Sequence, residues 1–157
     1  MVPVEAEKLE LSFTTLTKGA SGRDQTLCIK AIESLEAAMV EPVPRIFHLI
    51  LTVTPEERTA DFGLALRGSG NFEKGYQLHF LPYERRVIFN QQSISAVSGL
   101  DQRFTLEIVA QEDIIDICID QQRCLIDRCP ELERERLFFF CQNGEVNFES
   151  IVIAPLQ

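Results

Sequence analysis

Asp113-Ile114-Ile115-Asp116-Ile117-Cys118-Ile119-Asp120 is the stretch whose period decides the fold. Ile115, Ile117 and Ile119 alternate with Asp116, Cys118 and Asp120. A strict period of two buries one face of a pleated strand and frees the other, whereas an apolar helix face collects residues three and four apart. Gln121-Gln122 reads as a tight turn and Cys124–Arg128 as the return strand, ending before Pro130. Leu137–Cys141 reads as a third strand closed by Asn143-Gly144, a pair that two-residue hairpin turns favour. Val146, Phe148, Ile151 and Ile153 then lead to Pro155 as a fourth.

The same period extends toward the N-terminus. Leu9, Leu11 and Phe13 alternate with polar neighbours, predicting a first strand over Lys8–Leu16, with residues 1–7 as a lead-in. Lys18–Gly22 reads as a loop. Arg45–Thr54 is apolar on both faces (Phe47, Leu49, Leu51 and Val53 against Ile46 and Ile50), as expected of a central strand with a cover on each side. His48 within it reads as a half-buried histidine rather than a catalytic one. In Phe62–Arg67 large residues alternate with Gly63 and Ala65, so the small face should be closely approached by something. Tyr76, Leu78 and Phe80 oppose Gln77, His79 and Leu81, and Pro82–Arg85 turns the chain into Arg86–Asn90. Gln91–Asp101 is a loop or irregular edge, and Phe104, Leu106 and Ile108 start another strand. Thr26–Val40 supports two readings. Cys28, Ile32, Leu35 and Met39 fall near one helical face, while Leu27-Ile29-Ala31 and Leu35-Ala37-Met39 read as two strands. Turns every eight to twelve residues and about ten or eleven strands predict an all-β, antiparallel β-sandwich of the jelly-roll or concanavalin type. At 157 residues one domain, residues 1–157, can bury a core without staples.

Composition narrows the partners. A net charge of −9 with scattered Lys and Arg argues against a nucleic-acid backbone or an anionic membrane surface, and the run Glu133–Arg136 neutralises itself. The longest apolar run, Ile46–Val53, is too short to span a bilayer, and the acidic first residues lack a signal-type apolar run, so a cytoplasmic location is expected. Five cysteines without CxxC spacing, and only His48 and His79 as histidines, predict reduced thiols and neither metal nor cofactor. Cys118 and Cys124 flank the Gln121-Gln122 turn and could lie near each other across the hairpin.

The segments "DIIDICIDQQRCLIDRC" (113–129) and "LFFFCQNGEVNFESIVIAPL" (137–156) resemble the end of the C-terminal β-sandwich module of glycoside hydrolase family 32, the invertase, levanase and inulinase family. "FGLALRGSGNFEKGYQLHF" (62–80) is similar to a middle strand pair of that module, and the resemblance covers roughly Phe47–Leu156. It favours strands over a helix in Thr26–Val40. It also implies a catalytic five-bladed propeller as partner, carrying the two carboxylates that retaining hydrolysis needs. The propeller motifs are absent here: there is no Trp, Arg23-Asp24 is followed by Gln25, and no Glu precedes a cysteine. The resemblance therefore implies a non-catalytic module that stabilises a propeller, contacts a second copy of itself, or helps frame a site for sucrose or fructan. A free-standing lectin-like protein and a ligand-free oligomerisation module are the alternatives.

Other enzyme signatures fail too. Gly68-Ser69-Gly70 is not followed by a helix with Lys-Ser/Thr, and no nucleophile elbow is present. Asp113, Asp116 and Asp120 read as solvated strand positions. If Leu64, Leu66, Leu78 and Phe80 face the core, Arg67, Gln77 and His79 share the opposite face, where a guanidinium, an amide and an imidazole suit sugar hydroxyls. Tyr76 and Tyr83 are the two tyrosines available for stacking, which completes the candidate carbohydrate site.

Overall fold

Alternating sequence becomes strand nearly throughout the computed structural model, which describes residues 8–72, 74–130 and 135–156; the 1–7 lead-in lies outside the described residues. The strands are β1 (Phe13–Thr15), β2 (Ala20–Arg23), β3 (Thr26–Val40), β4 (Phe47–Pro55), β5 (Asp61–Ser69) and β6 (Lys74–Leu81). They continue as β7 (Arg86–Phe89), β8 (Gln92–Ile94), β9 (Phe104–Gln111), β10 (Ile114–Ile119), β11 (Arg123–Arg128) and β12 (Arg136–Pro155). All the pairings are antiparallel, and a 3-10 turn, Pro82–Glu84, is the helical piece among the described residues.

The twelve strands form an antiparallel sandwich of two layers that share β3 and β12. The first layer runs β8-β7-β6-β5, then the first half of β12 and the second half of β3, with β1 at its border. The second runs β11-β10-β9-β4, then the second half of β12 and the first half of β3, with β2 outside. Phe62 and Phe80 of the first layer meet Phe104 of the second at ring distances of 6.3 and 5.0 Å, so the inner faces interdigitate. Leu27, Ile29, Leu49, Leu64, Leu78, Ile108 and Ile117 are fully buried in the same core. Each such side chain contributes about 1.5–3 kcal/mol by leaving water. On the open side, Arg123 donates to the carbonyls of Ser95 and Ala96 and Gln92 to that of Ile126, tying the β8 and β11 edges together.

Thr26–Val40 is strand, as the second reading had it, but one strand with a kink rather than two. Three residues, Ile32–Ser34, stand opposite Asn143 alone, and Glu33 sits at φ 55°. The extra residues shift the inward set from Leu27, Ile29 and Ala31 to Ala38 and Val40. Met39 is buried on the outer face with Ala65 and Phe138, and Ala37, two residues before it, is buried too.

Asn143-Gly144 does not close a hairpin. Leu137–Gln142 and Gly144–Phe148 pair with the same strand, β3, so the chain continues and the positive φ values at Asn143 (61°) and Gly144 (145°) serve a bulge. A Cβ at Gly144 would lie 2.7 Å from the Thr59 hydroxyl oxygen, so the glycine also admits the loop after β4. The hairpin turn before β11 is centred on Asp120-Gln121, both at positive φ, one residue earlier than Gln121-Gln122. The Lys18–Gly22 loop is shorter than expected, because Ala20–Arg23 pairs with β3. Of the Lys8–Leu16 strand Phe13–Thr15 forms a ladder with β3, while the Leu9 N–H donates to the Ile153 carbonyl and Leu9 and Leu11 pack on the core.

Candidate functional site

The outer face of the first layer is built around Gly63 and Ala65. A Cβ at Gly63 would collide with the Leu78 carbonyl oxygen and lie 3.2 Å from the Phe140 ring. The close neighbour expected for this face is thus the chain itself. Phe138 and Phe140 of β12 lie over the small residues, and Phe72 folds back from the β5–β6 loop to 5.5 and 5.1 Å from their rings.

Beside Phe140 stands a polar row. His79 Nδ1 is 2.8 Å from Asp61 Oδ1, its Nε2 is 2.8 Å from Gln77 Oε1, and its ring sits edge-on to Phe140 at 4.9 Å. A charged ring donates to both oxygens, and a neutral one makes the same pair of contacts if the Gln77 amide is turned to donate. The register Phe62↔Phe80 puts Asp61 and His79 on one face, with Asp61 opposite Leu81 at the strand ends.

Arg67 does not share that face. The register slips between Leu66 and Ser69, Arg67 takes φ 53°, and its side chain turns into the protein, where it is 4% exposed. There Nη1 donates to the Cys129 carbonyl (2.5 Å), and Nη2 to those of Arg45 (3.0 Å) and Glu112 (2.6 Å). Burial, and then the neighbouring Arg45 guanidinium, lower its pKa from the ordinary value. It is a tie between layers. Tyr76 also faces inward, packed against the core with Leu78 and Phe80.

Tyr83 is 68% exposed at the end of the sandwich where β5 begins and β6 ends. Pro82 starts its 3-10 turn, and Arg85 ends it in the left-handed region with its N–H donating to the Pro82 carbonyl. Across from this turn, the loop after β4 supplies Glu56, Glu57, Arg58 and Thr59, and Asp101 completes a cleft of about 150 Å³. Thr59 is buried and anchors this wall, its hydroxyl lying 2.7 Å from the Glu56 carbonyl and 2.8 Å from that of Glu145. Glu56, Glu57, Arg58, Tyr83 and Asp101 all reach solvent.

Of the five residues read as a sugar site, Gln77 and His79 come together, Tyr83 lies at the adjoining strand ends, and Arg67 and Tyr76 are elsewhere. Asp61, Glu57, Arg58 and Asp101 were not foreseen. Asp61 was within reach of the hairpin register; the others sit in turns, where no period marks them.

The second layer presents a different outer face. His48 Nε2 is 2.6 Å from Glu107 Oε2, with half-buried Ile50, Val109 and Val152 around the pair and Ile114 and Ile126 exposed (47% and 57%). His48 is half-buried, as expected. The structure bonds Cys118 to Cys124, which correspond directly across β10 and β11, so the expectation of five reduced thiols is corrected to three. Burial pushes the Cys129 and Cys141 thiols up to about 12, with help from Asp127 and Asp61 respectively. Among the described residues no group of three His, Cys, Asp or Glu could hold a metal, and no helix is long and apolar enough to cross a membrane.

No family model matches the chain, and no curated protein matches it. Solved structures do. The carbohydrate binding module CBM66 from Bacillus subtilis aligns with a TM-score of 0.75 at 11% identity, covering 92% of this chain and 96% of that one. The galectin LEC-6 of Caenorhabditis elegans aligns at 0.53 and 18% identity, covering 83% and 95%. A Bacillus licheniformis β-glucanase aligns at 0.62 and 8% identity, covering 99% and 96%. At these identities the likeness is one of fold.

Proposed function

We propose that this chain is a non-catalytic, sugar-binding β-sandwich module whose ligand sits in the Tyr83 cleft and extends toward His79 and Gln77. The observation that carries this reading is an exposed aromatic ring beside free-standing polar side chains, in a concavity, on a fold that a carbohydrate-binding module and a galectin share. A sugar ring offers an apolar face to Tyr83 and hydroxyls to Arg58, Glu57 and Asp101. The resemblance to the family 32 C-terminal module supports the finer reading, an accessory to a β-fructosidase-like propeller. Titration calorimetry with sucrose, levan and inulin, backed by a glycan array, tests both. Saturable binding that Tyr83→Ala weakens at least about fivefold is expected, without any turnover of the sugar. Binding that is indifferent to Tyr83, or hydrolysis by pure protein that an Asp or Glu substitution abolishes, would overturn the reading.

A second reading rests on the outer face of the second layer. Ile50, Val109 and Val152 leave an aliphatic patch there, continued by exposed Ile114 and Ile126, which suits burial against a propeller or a second copy. A specific contact would cover about 800 Å² on each partner. An in-frame upstream propeller with its two carboxylate motifs favours the accessory module, and an isolated reading frame favours a free-standing lectin-like protein.

A further inference from the structure

We propose that the Tyr83 cleft selects saccharides that carry a protonated amine and disfavours those that carry carboxylate or sulfate. This rests on the sugar-binding reading above and adds the ligand's charge to it.

Three carboxylates, Glu56, Glu57 and Asp101, line the cleft against a single guanidinium, Arg58. Among the described residues, none of these four side chains makes a hydrogen bond or ion pair with another side chain. They are therefore not spent on one another, unlike Asp61, His79 and Gln77 a short way along the face. Carboxylates accept hydrogen bonds and cannot donate them, so they match hydroxyls and, more strongly, an ammonium group. Tyr83 adds to the same preference, because the face of its ring attracts a cation as well as an apolar sugar face. An anionic sugar would meet the uncompensated carboxylates with Arg58 as its one partner, in the field of a chain with net charge −9.

Two arms of the test keep the sugar ring constant and change its nitrogen, and a third carries carboxylate. Calorimetry at low ionic strength and about pH 6 compares a glucosamine oligomer, its N-acetylated counterpart of equal length, and a hyaluronan oligomer. The amine-bearing oligomer should bind about five- to tenfold more tightly than the acetylated one, with hyaluronan weakest. The preference should shrink to within about twofold at 1 M salt, because the groups are exposed. Glu57→Gln with Asp101→Asn should weaken the amine-bearing oligomer more than the acetylated one, bringing the two to within about twofold of each other, and Tyr83→Ala should weaken both without narrowing the gap to that extent. Equal binding of the amine and acetyl forms, tighter binding of hyaluronan, or a preference that survives the double variant would overturn the proposal and leave the sugar-binding reading standing. Failure of every sugar, including sucrose and the fructans, would overturn both.

Discussion

Replacing Arg67 with Ala is the perturbation that most directly separates a structural from a ligand-binding role for this residue. Its guanidinium, carried by β5 in one layer, holds three carbonyls near strand ends of the other: Cys129 after β11, Glu112 before β10 and Arg45 before β4. Each acceptor stripped of its partner costs about 1–3 kcal/mol if it stays buried. The bond to Cys129 is buried, whereas those to Arg45 and Glu112 are part-buried, so water can reclaim some of the loss there. The sum is about 3–5 kcal/mol, a large share of the roughly 5–15 kcal/mol that holds a domain of this kind together. With a urea slope of about 2 kcal/mol/M, the midpoint should fall by about 1.5–2.5 M, with the slope unchanged. Arg67→Lys should recover part of this, since an ammonium lacks the planar fork that reaches several carbonyls at once. A midpoint shift equivalent to less than about 0.5 kcal/mol would refute the reasoning. So would a loss of sugar affinity in a variant that remains fully stable, which would return Arg67 to the binding face.

Further outcomes follow from other parts of the sandwich. Peptide mapping without reductant should recover Cys118 linked to Cys124, and thiol titration of the denatured chain should find three free groups; five would refute the bridge. Stability should decline as pH rises from 9 toward 12, because the unfolded thiols ionise near 9.0 while Cys129 and Cys141 hold their protons until about 12, so the folded chain binds more protons in that window. Thermal melts of Cys141→Ala across the window should show a shallower decline, and an identical slope would count against it. Gly63→Ala should cost about 1–3 kcal/mol in denaturant titrations by forcing β6 and Phe140 away, and a neutral effect would contradict the packing described. If copies of the chain associate through the second layer, Ile50→Lys should dissociate them in sedimentation runs while leaving the melting temperature nearly unchanged; a strictly monomeric parent chain would remove that reading.

The layers were legible because each inward residue repeats at a period of two, and Ile115, Ile117 and Ile119 lie in the core as the pattern requires. What escaped were the interruptions. Ile32–Ser34, Asn143-Gly144 and the Leu66–Ser69 slip each change which residues face inward, and a bulge depends on the partner strand, which lies far away in sequence. Arg67 illustrates the cost: simple alternation puts it beside Gln77, while the slip sends it into the protein. Tyr83 was readable as an exposed ring on a proline-started turn. The cleft around it was not, because Glu57 and Arg58 come from one loop and Asp101 from another, and only the assembled sandwich brings the two together.

Because β12 lies beside β3 and also flanks β4 and β5, it dictates the order in which the molecule can be made. Leu137–Phe148 find their partners among Leu27–Val40, 97 to 121 residues earlier in the chain. During synthesis neither layer has its middle strand until residues 136–155 have left the ribosome, so the earlier strands wait with their apolar faces uncovered. Assembly should therefore come late and all at once. Removing Arg136–Pro155 should leave no folded half behind, and a nascent chain stalled before that segment should be the form that chaperones and proteases meet.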